Sequence, residues 1–445
     1  MKTNFLTLYS LADEQQIIAE QEFAPVLEPF ATPLLSLSNS VKEATPDPDS
    51  PHLQMNFLAQ VIKHASDVEH LLDRYQARNN RNWIYFRELT ATAKNFGKAA
   101  FILEELKRGA STIRLFPQES NDFIQRAGEA AFFFGKIIAD NLLELREEAG
   151  RLNLNIPNEG PLESYGVKLT HEIILPHTIE EASSSEIGVT ARKIAHRFVK
   201  FADDAQFLSE VIREEGKLLA SQIPANINEG KLRRLGTGLH NLISWYDSYL
   251  YNHSIEGEIP ELKVLHHIFS MQLNLSKIAT IIAHYFERHL LIPSPIAGRL
   301  QQIVPPSELT KSAFHFSLYY LARLFTAGKA VAETILDRMV EEVTYELSVP
   351  KGLGFHARPS TLVAKVVQHH AAEVKMLVDD QEFDAGSILE LLSAGGYIVT
   401  KKLDRVRFRG EKRALDDLKI LAEYNYGETR QGKDAPLPAI LSYLR

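Results

Sequence analysis

The chain has 445 residues and no cysteine, which excludes disulfide staples, thiol catalysis and the usual cysteine-ligated structural zinc. Histidine and carboxylate side chains are the metal ligands that remain. Long hydrophobic runs are missing as well. The nearest approach, Ala127–Ile138, is interrupted by Glu129 and Lys136, and a membrane span needs roughly 18 uninterrupted apolar residues. The opening MKTNFLTLYSLADEQQ lacks the apolar run and cleavage site of a signal peptide. Nor is there a basic excess: the formal net charge of -8 offers no concentrated positive surface for a nucleic-acid backbone. These absences together predict a cytoplasmic protein with no membrane span and no nucleic-acid partner.

What is present is ample material for a core, with 45% hydrophobic and 24% charged residues, and enough length for two or three domains. Residues 1–54 carry Pro25, Pro29, Pro33, Pro46, Pro48 and Pro51, and are expected to form an extended arm, because proline removes a donor and restrains its predecessor. From Met55 onward the apolar period is helical. Leu58, Val61, Ile62, Ala65, Val68 and Leu72 recur every three or four residues, as one buried helix face requires. Similar faces run through Trp83–Leu106, Asp122–Glu148, Val189–Leu219, Lys231–Tyr251, Glu261–His289 and Ser307–Val343. The polar, irregular stretch 153–188 divides them into helical subdomains 55–152 and 189–342. Asn95-Phe-Gly-Lys-Ala-Ala and Asn274-Leu-Ser-Lys-Ile-Ala echo each other across that division, through duplication or through the small alphabet of amphipathic helices.

After Val343 the period falls to two. Val343, Tyr345, Leu347 and Val349 alternate with Thr344, Glu346 and Ser348, the pattern of a half-buried strand. Further strands are expected at Val374–Val378, Glu382–Ala385 and Arg405–Arg409, with helices after His356, after Ser387 and after Gly410. Ser387-Ile-Leu-Glu390 has the form of a capping box. The predicted fold is therefore multidomain: an all-α region, then an α+β sandwich over 343–424 with a four-stranded antiparallel sheet and helices on one face. In the tail 425–445, Leu437, Ile440, Leu441 and Leu444 predict a short amphipathic helix docked on its own chain.

The candidate site is centred on His356. A neutral imidazole can attack through one ring nitrogen while the other holds the proton. A helix N-terminus beside it disfavours the charged ring and stabilises an attached anion. Pro359 suits the first helical turn, Arg358 can present a forked donor to phosphoryl oxygens, and Gly352 and Gly354 allow tight turns. Asp67-Val-Glu-His70, His266-His267, and His284 with His289 are the histidine clusters that could serve a metal, but the pattern does not recur on several helices, so no metal centre is expected.

Leu353-Gly354-Phe355-His356-Ala357-Arg358-Pro359, followed by Asp384-Ala385-Gly386-Ser387-Ile388-Leu389, resembles the histidine and serine motifs of the phosphocarrier protein HPr family of the bacterial phosphoenolpyruvate-dependent phosphotransferase system. The resemblance implies phosphorylation of His356 at Nδ1 by an Enzyme I-like phosphoryl donor, with Arg358 assisting and Gly354, Ala357 and Pro359 shaping the turn that stabilises the phosphoryl group. It implies a downstream phosphoryl acceptor or regulated protein, no cofactor, and a covalent carrier rather than a stand-alone enzyme. Phe355, Ile388 and Leu389 are expected to dock partners, with Leu392 as core. Ser387 corresponds to the family's regulatory serine, but Gly386 replaces the usual lysine, which counts against an HPr kinase as partner, and an N-cap role accounts for the serine. A docking or scaffold protein without chemistry is the alternative. The swivelling phosphohistidine motif of Enzyme I is missing.

Overall fold

The structure, a computed structural model, describes residues 17–41, 54–110, 120–158, 184–209, 226–291, 295–339, 342–429 and 434–444. Its first helix corrects the sequence reading. Where an extended arm is expected over 1–54, Glu20–Val41 forms helix α1, with Pro25, Pro29 and Pro33 inside it. The prolines repeat every four residues, so the missing N–H groups fall along one stripe, and Pro25 and Pro29 are exposed, where water can serve the freed carbonyls. Phe23, Leu27, Ala31, Leu34, Leu35 and Leu37 are buried on the other side. Burying a large apolar side chain is worth about 1.5–3 kcal/mol, and that offsets the lost bonds. Pro46, Pro48 and Pro51 lie outside the described residues.

The helical faces read from the sequence correspond to α2 (Met55–Arg74), α3 (Ile84–Ala110), α4 (Ser120–Arg151), α5 (Ser184–Asp204), α6 (Glu229–Tyr249), α7 (Glu261–Tyr285), α8 (Pro295–Ile303) and α9 (His315–Arg338); of the expected Val189–Leu219 face, 210–219 lie outside the described residues. π-helical turns at Phe286–Leu290 and Leu309–Phe314 interrupt the last stretches. The described residues fall into two compact units that cut across the expected subdomains. One takes its residues from Met1–Pro176, Phe207–Thr237 and Met271–Ala322; the other from His177–Gln206, Gly238–Ser270 and Arg323–Arg445. In the first, the Phe96 ring meets Phe134 and Tyr285 at centroid distances of 5.5 and 4.9 Å. In the second, Phe198 packs on Phe269 and Phe325.

The second unit also contains the sheet: β1 (Glu342–Ser348), β2 (Val374–Val378), β3 (Gln381–Asp384) and β4 (Arg405–Glu411), in the order β1-β4-β2-β3. All neighbours are antiparallel, and Phe408 of β4 is opposite Tyr345 on one side and Met376 on the other. Helices α10 (Ala357–His370), α11 (Ile388–Lys401) and α12 (Lys412–Glu423) bury Val363, Val366, Leu391, Leu415 and Leu418 in one core with Met376 and Phe408. The chain is thus mostly helical with a C-terminal antiparallel sheet and its helices, as the two apolar periods predict.

The tail departs in detail. Ala439–Leu444 is a 3-10 turn rather than an α-helix. The segment is kinked at Leu441; Leu441 and Leu444 are both buried, and Ile440 is 63% exposed. The segment does pack on its own chain, in the core of the sheet domain.

Candidate functional site

Between β1 and α10 the backbone turns through Gly352 and Gly354 at φ of 113° and 66°, a region that favours glycine. His356 follows as the N-cap residue of α10, in extended conformation, and its side chain makes no capping bond. Its ring therefore stands beside a helix start whose first N–H groups have no intrahelical acceptor. Ala357 is exposed at the first helical position, while Gly354 and Pro359 are buried.

The ring is held from a direction that the motif does not contain. Nε2 of His356 is 2.9 Å from Oε2 of Glu428, and Nδ1 has no hydrogen-bond partner among the described residues. The His356 side chain is 31% exposed and that of Glu428 only 1%. The other carboxylate oxygen, Oε1, is buried without a hydrogen-bond partner. Glu428 is placed by the turn Asn425–Gly427 that follows α12. Tyr426 is fully buried there and donates its hydroxyl to the Ser348 carbonyl at 2.8 Å. Asn425 accepts from the Lys351 amide at 2.7 Å and donates to the Glu428 carbonyl at 3.1 Å, lacing the tail to the glycine turn.

Arg358 is likewise engaged by the tail: its Nη1 lies 2.7 Å from Oδ1 of Asp434, and its Nε is buried without a partner. Glu428 and Asp434 pair with each other as an isolated β-bridge. Sequence reasoning missed both carboxylates because they sit in a stretch without periodicity, and only the fold brings them back to the histidine.

The expected docking residues separate. Ile388 and Leu389 are 39% and 77% exposed. Phe355, by contrast, is buried and packs edge-on against Tyr426, so it is core rather than a docking residue. The turn inverts the alternation there, sending Phe355 inward and His356 outward. Leu392, expected in the core, is exposed, and Leu391 takes the buried position. With Leu353 and Val399, also exposed, Ile388, Leu389 and Leu392 make an apolar surface on α11 and the histidine turn.

Ser387 is the N-cap of α11 and accepts from the Glu390 amide at 3.4 Å. The capping box is half formed, since the Glu390 carboxylate takes the Asp384 amide at 2.6 Å and the Ser387 amide donates to the Asp384 carbonyl.

The histidines of the helical region have separate partners: His284 meets Glu229 at 3.0 Å, His266 meets Asp247 at 2.8 Å, and buried His289 meets Glu88. Among the described residues no group of three or more His, Asp or Glu side chains is placed to hold a metal ion, and no helix is long and apolar enough to cross a membrane. A separate cleft of about 330 Å³ is lined by Arg197, Lys200 and Phe201 of α5 and by Asn241 and Trp245 of α6; it shares no residue with the histidine site.

Residues 343–421 match the family model described as the PTS HPr component phosphorylation site. No curated protein and no solved structure compared with the chain gives a match, and the helical region before residue 343 has no family match. Residues 343–421, then, form an HPr-like domain.

Proposed function

We propose that His356 is a phosphoryl acceptor, which takes the group on Nδ1 from an Enzyme I-like donor charged by phosphoenolpyruvate and passes it to a downstream acceptor. The observation that carries this reading is the division of labour in the ring, with Nε2 engaged by Glu428 at 2.9 Å and Nδ1 left without a partner at the start of α10. In the transfer the Nδ1 lone pair forms the new N–P bond while the bond from phosphorus to the donor breaks. The helix N-terminus favours the added negative charge, and Arg358 exchanges Asp434 for the phosphoryl oxygens. Gly354, Ala357 and Pro359 supply the turn. The protein acts as a covalent carrier and needs no cofactor, in keeping with a cytoplasmic phosphotransferase component, and the large helical region suits regulation better than bulk transport.

The apolar surface of Leu353, Ile388, Leu389, Leu392 and Val399 favours a second reading, in which the domain also docks a regulated protein whose binding follows the state of His356. Capping is a sufficient role for Ser387, and Gly386 in front of it disfavours an HPr kinase.

Incubation with Enzyme I and phosphoenolpyruvate tests the proposal. Wild type should gain one acid-labile phosphoryl group, His356→Ala none, and Ser387→Ala the same as wild type. Failure of wild type to take label, with the donor active on its usual carrier, would overturn it.

A further inference from the structure

We infer that Glu428 is a positioning residue for phosphoryl transfer, accepting the Nε2–H of His356 so that the attacking lone pair is on Nδ1, and balancing the positive charge that the ring acquires once Nδ1 is phosphorylated. The inference rests on the phosphoacceptor reading and deepens it. It concerns a residue beyond position 421, where the family match ends, so only the geometry assigns it.

A neutral imidazole has one N–H, and an ionised carboxylate can only accept. With Glu428 as the carboxylate, Nε2, 2.9 Å from its Oε2, carries the proton, which leaves the lone pair on Nδ1. When Nδ1 forms its bond to phosphorus and the phosphorus–donor bond breaks, no proton leaves the ring. The ring becomes a cation, and the contact with Glu428 changes from an ion–dipole bond to an ion pair. Transfer onward reverses this: the Nδ1–P bond breaks as phosphorus bonds to the acceptor's nucleophile, and the ring is neutral again.

The burial of Glu428 makes the change matter. Its side chain is 1% exposed and Oε1 has no hydrogen-bond partner, so His356 provides its sole side-chain hydrogen bond among the described residues. A carboxylate taken from water is undercompensated by one neutral N–H. It gains more when that N–H belongs to a cation, because little water screens the pair. The interaction is thus stronger in the phosphorylated ring than in the free one, and strengthening along the reaction is what accelerates it. Geometry supports the role too. Gly427 has φ of 72° and a Cβ there would meet Leu362 of α10 at 3.0 Å, so the turn presenting Glu428 is pressed against the helix that His356 caps.

The test uses the full chain with ¹⁵N-labelled histidine. In unphosphorylated wild type, NMR couplings should report His356 as the Nε2–H tautomer. Glu428→Gln, whose amide can present either oxygen or NH₂, should give mixed tautomers and accept phosphoryl groups from Enzyme I roughly 10–100-fold more slowly, by analogy with the outer partners of metal-bound histidines. Glu428→Asp, which keeps the charge, should recover most of the rate, and amide spectra of both variants check that the fold is intact. A wild-type ring that is mainly Nδ1–H, or a Glu428→Gln protein that accepts at the wild-type rate, overturns the inference and leaves the phosphoacceptor reading standing. An Nε2–H ring that takes no label in wild type overturns the phosphoacceptor reading and reduces Glu428 to a structural hydrogen bond.

Discussion

Arg192 provides the sharpest test of how the HPr-like fold is held. It lies on α5, far upstream in sequence, and its Nη1 is 2.7 Å from Oε2 of Glu411, with side chains only 6% and 3% exposed. The ion pair is close but lacks hydrogen-bond geometry at those two atoms, and the Arg192 Nε donates to the Ala371 carbonyl at 3.4 Å. Burial pushes the Glu411 carboxyl above its ordinary range despite Arg192, and burial pushes the guanidinium down despite Glu411. Desolvation therefore outweighs the attraction, so the pair adds little over apolar groups of the same shape, but either charge alone is costly. Arg192→Ala should destabilise the sheet domain by about 3–5 kcal/mol, whereas Arg192→Met with Glu411→Leu should be within about 1 kcal/mol of wild type or more stable. Because Glu411's folded pKa is raised, a charged Glu411 opposes folding at high pH and a protonated one does not. The Arg192→Ala penalty should accordingly be larger at pH 8 than near the carboxylate range. The chain has two units, which makes a single unfolding transition unsafe, so hydrogen exchange of peptides within 342–429 is the assay. Their protection should fall on the order of a hundred- to several-thousand-fold. A fall below about tenfold, or a double variant as weak as Arg192→Ala, would refute the reasoning.

Two further outcomes follow from the same domain. The His369 ring stacks on Tyr443 with centroids 3.7 Å apart, and burial first, then Lys193 and His370, push its pKa from 6.5 down to about 4. Its contribution to stability is present above the unfolded value and lost as pH falls from about 6.5 towards 4; hydrogen-exchange protection of peptides within 342–429 in His369→Phe should lose that pH dependence, and an unchanged dependence would refute the assignment. At Gly395 a Cβ would meet the Phe355 carbonyl oxygen at 2.3 Å, whereas at Gly396 it would meet nothing within 4 Å. Gly395→Ala should cost about 1–3 kcal/mol and slow phosphoryl acceptance at the adjoining His356, while Gly396→Ala should stabilise α11 by up to about 1 kcal/mol; equal effects in hydrogen exchange and labelling would remove the supposed contact.

The parts of the fold legible in the sequence are those in which local period and burial agree. The shift of period at Val343 marks the start of the sheet because Leu347, Met376 and Phe408 are buried by the same alternation that makes them visible. Proline misleads at α1, since a penalty that is decisive for an isolated helix is overcome when Pro25 and Pro29 lie on the solvent side, Pro33 is half-buried, and Leu27, Ala31 and Leu35 line the other. The echo between Asn95–Ala100 and Asn274–Ala279 has a packing explanation: a Cβ on Gly97 would meet Ile62 at 3.2 Å, and one on Gly236 would meet the Ser276 hydroxyl at 3.2 Å. Small residues recur there because a neighbouring helix comes close.

The site divides along the same line. His356, Arg358 and the turn are local, so a motif can carry them. Their partners Glu428 and Asp434 are 72 and 76 positions further on, in a tail whose composition announces nothing. The two carboxylates differ in what burial does to them. Glu428 is shut away from water, and its attraction for the ring grows as the ring gains charge. Asp434 is 78% exposed opposite a 39% exposed Arg358, and such a pair is worth about 0–1 kcal/mol. In the proposed transfer Arg358 would leave Asp434 for the phosphoryl oxygens at little cost, while the histidine would keep its buried partner. One carboxylate stays and the other yields, and the difference between them is solvent.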